Sequence, residues 1–194
     1  MSTSDAHLSE VQLTSETLFK GRFLQGRRDT VRLPDGGTGV REYILHPGAV
    51  VVVALHDNGD VVIERQFRYP VGEVITEFPA GKLDPGEEPL VCGKRELLEE
   101  TGYTAREWAY AGRMHLAIGY SDEVIHIYFA RGLVAGVRDL DEGEFLDVGR
   151  MSVADVLRAI REGRITDAKT LSCCNWLTQV TSGAWSLQWE QSPV

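Results

Sequence analysis

A dense acidic motif between residues 81 and 103 constrains the fold of this chain more than any other feature. It has the form Gly81-x5-Glu87-x7-Arg95-Glu96-Leu97-x-Glu99-Glu100-x-Gly102-Tyr103, and four of its positions are carboxylates. Pro89 suits the first turn of a helix and Gly102 suits its end, so the pattern predicts a loop followed by a helix. On that helix Glu96, Glu99 and Glu100 share one face, where they would repel one another without a cation.

The chemistry of this acidic face points to a divalent metal. Mg²⁺ takes oxygen ligands and usually bridges one or two carboxylates to substrate phosphates. A solvated helix face is the alternative, and a bare Glu-x-x-Glu-Glu would favour it. The bracketing glycines at 81 and 102, the additional carboxylate of Glu87, and Arg95, which can orient a neighbouring glutamate, favour the metal site instead.

Composition excludes several classes of protein. A length of 194 residues with 43% hydrophobic content suits one globular domain with an extra element. The net charge of -9 argues against nucleic acid as the main partner. Three cysteines, two of them adjacent at Cys173 and Cys174, provide neither a disulfide framework nor a zinc site, and they favour a reducing cytoplasm. No apolar stretch is long enough to cross a membrane, and the polar N-terminus does not resemble a targeting signal.

Strand patterns dominate the first two thirds of the chain, and helices are inserted in the middle and at the end. This order predicts a mixed α/β (α+β) sandwich. We expect a flexible tail over 1–12, an N-terminal β subdomain over 13–48, a main domain over 49–185 and a C-terminal tail over 186–194. The predicted strands cover 17–24, 29–33, 39–45, 49–55, 61–68, 74–78, 106–114, 124–131 and 145–148, and the predicted helices follow Pro89, Ser152 and Asp167.

The motif resembles the signature box of the Nudix hydrolases at every specified position, with a mild departure at Tyr103, where that family more often has an aliphatic residue. The resemblance implies an α/β/α sandwich with a mixed sheet and a Mg²⁺ cofactor, with Mn²⁺ as an alternative ion. It also implies that Glu96 and Glu100 are the principal metal ligands, and that Glu99 is a further ligand or orders a catalytic water. Arg95 then organises the carboxylates, and the backbone carbonyl of Ala80 completes the metal shell.

Segments outside the box resemble the ADP-ribose pyrophosphatase branch of that family. They are Arg41-Glu42, Glu64-Arg65-Gln66-Phe67-Arg68, Glu77-Phe78-Pro79-Ala80-Gly81 and Gly119-Tyr120-Ser121-Asp122-Glu123. The resemblance implies a homodimer in which the N-terminal subdomain pairs across the dimer and contributes to the neighbour's substrate site. It implies substrate contacts from Arg22, Phe23, Arg41, Glu42, Arg68 and Glu123. The alternative is that Arg41 and Arg68 are surface charges of strands and that Phe23 is an interface core residue.

The acidic segment Asp141-Glu142-Gly143-Glu144 is a candidate catalytic loop. By resemblance Glu142 is the general base and Glu144 an additional metal ligand, whereas composition alone would favour a solvated turn. Hydrolysis of a diphosphate needs cations to neutralise the anionic oxygens and a base to activate water. The expected reaction is attack of water on the diphosphate bridge of ADP-ribose, which yields AMP and ribose 5-phosphate.

One departure leaves the substrate open. The ADP-ribose branch commonly has a proline at the position of Ile118, so other nucleoside diphosphate sugars such as GDP-mannose remain alternatives. A sensor that binds a nucleotide sugar without cleaving it is a hypothesis of a different class. The intact Glu96, Glu99 and Glu100 argue against the sensor, as does the lack of a DNA-binding element in the sequence.

Overall fold

The computed structural model describes residues 3–193, which form two compact units. The first unit extends to Pro47 and also includes His115–Val124, and the second contains Gly48–Met114 together with the chain from Ile125 onward. The expected limit at residue 48 therefore lies next to the observed one. The inclusion of 115–124 in the first unit was not expected from the sequence.

The first unit is a three-stranded antiparallel sheet that follows a 3-10 helix at Thr3–Leu8. Its strands are β1 (Val11–Lys20), β2 (Gln25–Arg32) and β3 (Thr38–Leu45), in that spatial order. Asp29 on β2 is 5% exposed and accepts hydrogen bonds from Gln12 at 2.7 Å, from Tyr43 at 2.9 Å and from Ser15. One buried carboxylate thus links all three strands, as a buried charge requires several donors.

The segment 115–124 extends this unit because its backbone bonds to the end of β3. The Ile44 amide donates to the Tyr120 carbonyl at 2.8 Å, and the Asp122 amide donates to the Ile44 carbonyl at 3.2 Å. The Asp122 carboxylate accepts from the His46 amide at 2.8 Å. These bonds explain why a segment from the middle of the chain belongs with the N-terminal strands.

The second unit contains an eight-stranded mixed sheet and three helices. The helices are α1 (Pro89–Thr101), α2 (Val153–Arg161) and α3 (Ala168–Thr181). The strands are β4 (Ala49–Leu55), β5 (Val61–Arg68), β6 (Glu73–Glu77), β7 (Ala80–Lys82), β8 (Tyr103–Met114), β9 (Ile125–Ala135), β10 (Leu146–Met151) and β11 (Glu190–Gln191). The order is β10-β5-β4-β9-β8-β11, with β6 paired to β5 and β7 to β4, and only β4 and β9 run parallel.

The central strand β4 separates two hydrophobic cores, because successive side chains of a strand point to opposite faces. Val50 and Val52 pack with Cys92 and Leu97 of α1. The intervening Val51 and Val53 lie in the other core, which also contains Val156 and Ala159 of α2 and Cys173 and Leu177 of α3. The expected α/β/α sandwich with a mixed sheet is therefore confirmed.

The two expected tails contain ordered elements. Strand β1 begins at Val11, inside the expected tail over 1–12, because Val11 and Gln12 pair with Arg32 and Val31. The expected C-terminal tail over 186–194 packs on the second unit: Leu187 is 8% exposed, and β11 pairs with Glu107 and Trp108 of β8. This packing is favourable because the apolar side chains at 185, 187 and 189 are removed from water, whereas a polar segment would gain little from the same contact. Within 3–193 no helix is long and apolar enough to span a membrane.

Candidate active site

Helix α1 carries the acidic motif, and both of its ends match the sequence pattern. Pro89 occupies the first turn, and Gly102 closes the helix with φ at 74° while its N–H donates to the Leu98 carbonyl at 2.8 Å. A side chain at Gly102 would also approach the Gly136 carbonyl oxygen to 3.2 Å. Both facts favour glycine, because this left-handed conformation strains other residues.

Arg95 ties the loop and the helix together. Its Nη1 donates to Glu96 at 2.9 Å and to Glu99 at 3.0 Å, and its Nε and Nη2 donate to the two oxygens of Glu87, both at 2.9 Å. The Arg95 guanidinium lowers the pKa of Glu87 to about 2, mainly through these hydrogen bonds. The expected contacts of Arg95 with the acidic face are present, and its role as organiser of the metal ligands remains a prediction.

Glu100 of α1 lies beside the first residue of the short strand β7 and is 3% exposed. Its Oε2 accepts from the Ala80 amide at 3.1 Å, which joins two of the expected metal ligands directly. Burial, followed by the nearby charges of Glu64, Glu96 and Glu144, raises the pKa of Glu100 to about 10. A site of this kind favours a cation, which would offset the repulsion among the carboxylates.

Glu96 lies directly on the backbone of Gly81. A Cβ built on Gly81 would stand 1.8 Å from Cδ and Oε1 of Glu96, so only glycine leaves room for this carboxylate. Burial raises the pKa of Glu96 to about 6, although the neighbouring Arg95 acts in the opposite direction. The first glycine of the motif is therefore needed to make space for the Glu96 side chain and not to adopt a special backbone conformation.

Of the two loop glutamates, the structure connects only Glu144 to the carboxylates. Its Oε1 accepts from Gln66 Nε2 at 3.2 Å, and its charge contributes to the raised pKa values of Glu96 and Glu100. Glu142 is exposed and makes no side-chain hydrogen bond to the described residues. Its assignment as general base thus depends on the resemblance alone.

Arg68 is the expected substrate-binding residue that lies within the second unit. Its Nε donates to Glu77 at 2.7 Å, and its charge also interacts with Glu64 and Glu100. This places a guanidinium among the carboxylates of the motif. Such a group suits recognition of phosphate oxygens.

The other expected substrate residues belong to the first unit. Arg41 and Glu42 are neighbours on β3, so their side chains leave opposite faces of the sheet. Arg41 donates to Glu10, with Nε at 3.0 Å, and Glu42 accepts from Arg28 Nε at 2.8 Å. Arg22 lies exposed in the turn after β1, Phe23 packs edge-on against His46 at 6.1 Å between ring centroids, and Glu123 lies 3.6 Å from His46 Nδ1.

Sequence reasoning missed a buried charged cluster beside this site. Glu77 is 1% exposed and accepts from both Arg68 and Lys169, while Glu64 is fully buried and neither of its oxygens has a hydrogen-bond partner among the described residues. Burial, followed by the charge of Glu77, raises the pKa of Glu64 to about 8. The available signal was the isolated acid in the apolar strand after Val61–Ile63, because charges are rarely buried without a function.

The donor set fits a hard divalent cation. The side chains of Glu64, Glu96, Glu99, Glu100 and Glu144 offer only oxygen ligands, and the buried oxygens of Glu64 lack any partner among the described residues. The described residues contain no group of three or more His, Cys, Asp or Glu side chains at metal-binding distances, and Arg95 donates to Glu96 and Glu99. A cavity of about 810 Å³ lies at the other end of β4 near Leu55 and does not include these carboxylates.

Comparison with known proteins agrees with this architecture and acidic motif. The NUDIX domain model matches residues 45–172, and the model for the nucleoside diphosphate sugar hydrolase N-terminal domain matches residues 10–44. The chain therefore belongs to the Nudix family, and the family resemblance stated from the motif is confirmed.

Individual similar proteins carry names that refer to several different activities. The chain is 38% identical to an ADP-ribose pyrophosphatase of Bacillus subtilis, over 88% of this chain and 93% of that protein. It is 39% identical to a methanol dehydrogenase activator of Bacillus methanolicus, over 87% and 92%. A GDP-mannose pyrophosphatase of Yersinia enterocolitica is 30% identical over 82% and 90%. A crystal structure of an ADP compounds hydrolase shares the fold, with a TM-score of 0.79, 22% identity and coverage of 91% and 95%.

Proposed function

We propose that the chain hydrolyses the diphosphate bridge of ADP-ribose to AMP and ribose 5-phosphate in the presence of Mg²⁺ or Mn²⁺. The observation that carries the proposal is the carboxylate face of α1, which Arg95 organises beside the guanidinium of Arg68. The similarity to an ADP-ribose pyrophosphatase over 88% of the chain supports the substrate. A membership in the family alone would leave the substrate open.

The residues have separate roles in this proposal. The metal, when bound, neutralises the diphosphate oxygens and lowers the pKa of a water molecule. Glu96, Glu99, Glu100, Glu144 and the carbonyl of Ala80 would hold it. Arg68 binds the diphosphate, and Arg95 keeps the carboxylates in place through its four hydrogen bonds to their oxygens. The acidic loop brings Glu142 as the general base.

The reaction is balanced with water as the only co-reactant. The water oxygen forms a bond to one phosphorus, the bridging oxygen leaves with the other phosphoryl group, and Glu142 takes the proton that water loses. Attack at either phosphorus gives the same two products. Hydrolysis in ¹⁸O-labelled water distinguishes the two, because the label enters either AMP or ribose 5-phosphate.

Substrate contacts from the first unit are part of the same proposal. Arg22 and Phe23 would border the adenine, and Arg41, Glu42 and Glu123 would contact the ribose or the diphosphate. The opposite faces of Arg41 and Glu42 limit how one ligand can reach both side chains. Contributions from two copies of the chain would remove this limit.

A homodimer is the proposed assembly, supported by the exposure of β1. All ten residues of this edge strand are exposed, and Val11, Leu13, Leu18 and Phe19 are between 40% and 58% exposed. Exposed apolar strands favour association with another chain. Sedimentation of the wild type and of Leu18→Lys tests this: a dimer that the substitution dissociates is expected, and a monomeric wild type contradicts it. A cytoplasmic location fits the three buried free cysteines.

One experiment tests the activity. A panel of ADP-ribose, GDP-mannose and other nucleoside diphosphate sugars is incubated with the protein and Mg²⁺, and products are followed by phosphorus NMR with a chelated control. Cleavage of ADP-ribose at the highest kcat/KM is expected. Preference for GDP-mannose would favour the second candidate, for which Ile118 and the Yersinia relative are the specific observations. Binding without metal-dependent turnover would favour the sensor.

A further inference from the structure

Three charged side chains, from β5, β6 and α3, meet beside the candidate site. Glu77 at the end of β6 accepts from Arg68 Nε of β5 at 2.7 Å on one oxygen and from Lys169 Nζ of α3 on the other. Lys169 also lies 3.1 Å from Asp167, the residue that caps α3. The side chain of Glu77 is 1% exposed and that of Lys169 is 10% exposed.

Stability alone is a poor reason for such a cluster. Removing two charges from water costs several kcal/mol per ion, and apolar side chains of similar volume are often neutral or stabilising replacements for a buried ion pair. This desolvation penalty lowers the stability of the second unit, and it is incurred beside a site where substrate binding requires a guanidinium in a fixed position. The cluster is better explained by the placement of Arg68. Of the three side chains, that of Arg68 alone is partly exposed, at 37%.

The hydrogen bonding of Arg68 leaves the two terminal nitrogens of its guanidinium available for a ligand. Glu77 uses Nε, whereas Nη1 and Nη2 make no hydrogen bond to any residue in the part of the chain that the structure describes. The two terminal nitrogens of a guanidinium form a planar edge that matches two phosphate oxygens. A free arginine side chain would lose substantial rotamer entropy on binding, and the bond at Nε removes part of that cost beforehand.

The first turn of α3 also holds the backbone near the site. Thr170 Oγ1 accepts from the Phe78 amide at 3.0 Å, and Thr170 is fully buried. Phe78 follows Glu77 and lies two residues before Ala80. The same helical turn thus fixes the side chain of Glu77 and the strand end that leads to the Ala80 carbonyl.

We propose that Glu77 and Lys169 are positioning residues that hold Arg68 with its two terminal nitrogens directed at the diphosphate of the substrate. This role rests on the proposed hydrolysis of a nucleoside diphosphate sugar. Lys169 neutralises the second oxygen of Glu77 and keeps that carboxylate from turning toward solvent. Neither residue touches the reacting atoms, so both act through Arg68.

A double-mutant cycle separates this role from a general effect on folding. Glu77→Gln is expected to raise the KM for ADP-ribose about tenfold with a smaller effect on kcat, since Arg68 then samples other orientations. In an Arg68→Gln background the same substitution should change KM by less than about twofold, because the residue through which it acts is gone. An equal loss of affinity in both backgrounds would overturn the proposal.

The charges are balanced in a second variant, which guards against misfolding. Glu77→Gln with Lys169→Met removes one charge of each sign, so neither position keeps an unpaired buried charge, while the neutral glutamine holds Arg68 less strongly than the carboxylate does. This variant should fold and keep the raised KM. Glu107→Gln is the matched control, because Glu107 accepts from Arg131 Nε at 2.5 Å in an ion pair outside the candidate site; its KM should equal that of the wild type.

A measurement without substrate keeps the inference distinct from the proposed function. The ¹⁵N–Hε resonance of Arg68 is expected to be protected from solvent exchange in the wild type and to exchange faster in Glu77→Gln and Lys169→Met. Unchanged exchange in both variants would overturn the proposal. If the wild type cleaves no diphosphate sugar, the proposed function fails, whereas the resonance still reports whether Glu77 and Lys169 hold Arg68.

Discussion

Arg95 donates from Nε and Nη2 to the two carboxylate oxygens of Glu87, with both distances at 2.9 Å. This paired contact joins the loop of the motif to the helix eight residues later. The Glu87 side chain is 10% exposed and the Arg95 side chain is 29% exposed, so solvent screens the pair in part. The same guanidinium donates to Glu96 and Glu99. Glu87 therefore helps to fix the position of Arg95 relative to these two carboxylates.

Glu87→Gln is expected to lower the free energy of unfolding at pH 7 by on the order of 2 kcal/mol. The pKa of Glu87 falls from 4.5 to about 2 on folding, so its contribution is present above pH 4.5 and is lost as the pH falls toward 2. Urea unfolding of both proteins across this range measures the difference, which should shrink on acidification. A difference that stays constant with pH would contradict the assigned cause.

Gly81→Ala should abolish most activity and leave the fold intact. The new Cβ would stand 1.8 Å from the Glu96 carboxylate, and the flexible side chain can move away at little cost. We expect kcat/KM to fall by about a hundredfold and the free energy of unfolding to change by less than about 1 kcal/mol. The matched control is Gly149→Ala, whose Cβ would make an ordinary 3.6 Å contact with Ile63. Loss of stability equal to the loss of activity would contradict the prediction.

The motif helix could be predicted from sequence because its determinants are local. Pro89, Gly102 and the carboxylates all lie within one loop and one helix, and the contacts of Arg95 span at most thirteen residues. The cluster around Glu77 could not be predicted, since Lys169 lies 92 residues away and only the tertiary fold brings the two together. The sequence placed 115–124 in the main domain for the same reason, because the backbone bonds that join this segment to Ile44 cross a long sequence separation.

Glu100→Gln should separate metal binding from stability. Glutamine can still accept from the Ala80 amide, and unlike Glu100 it cannot ionise close to Glu64 and Glu96 to bind a cation. The metal-free variant is therefore expected to be at least as stable as the wild type. Mg²⁺ at one hundred times its Kd should stabilise the wild type by about 2.7 kcal/mol and the variant far less. Thermal unfolding with Mg²⁺ or a chelator measures both effects, and equal stabilisation of both proteins would remove Glu100 from the ligand set.

Glu142→Gln tests the general base. Loss of proton transfer should lower kcat by about a hundredfold or more with little change in KM. Asp141→Asn is the control, because this exposed neighbour removes the same charge from the same loop. Steady-state kinetics on ADP-ribose decide the matter: an unchanged rate in Glu142→Gln, or an equal loss in Asp141→Asn, would leave the loop without an assigned base.

Ile118→Pro tests whether this position influences the choice of substrate. Ile118 is 83% exposed and follows Ala117, whose carbonyl accepts from the Tyr120 amide at 2.9 Å, so residue 118 occupies the turn position that favours proline. Its own N–H donates no backbone hydrogen bond among the described residues, and the substitution should therefore fold. If proline at this position favours ADP-ribose, the ratio of kcat/KM for ADP-ribose to that for GDP-mannose should rise about tenfold, which corresponds to about 1.4 kcal/mol. Ile118→Val is the control that keeps a β-branched side chain. An unchanged ratio in Ile118→Pro would show that specificity is determined elsewhere, and the residues around Phe23 and Glu123 would be the next to substitute.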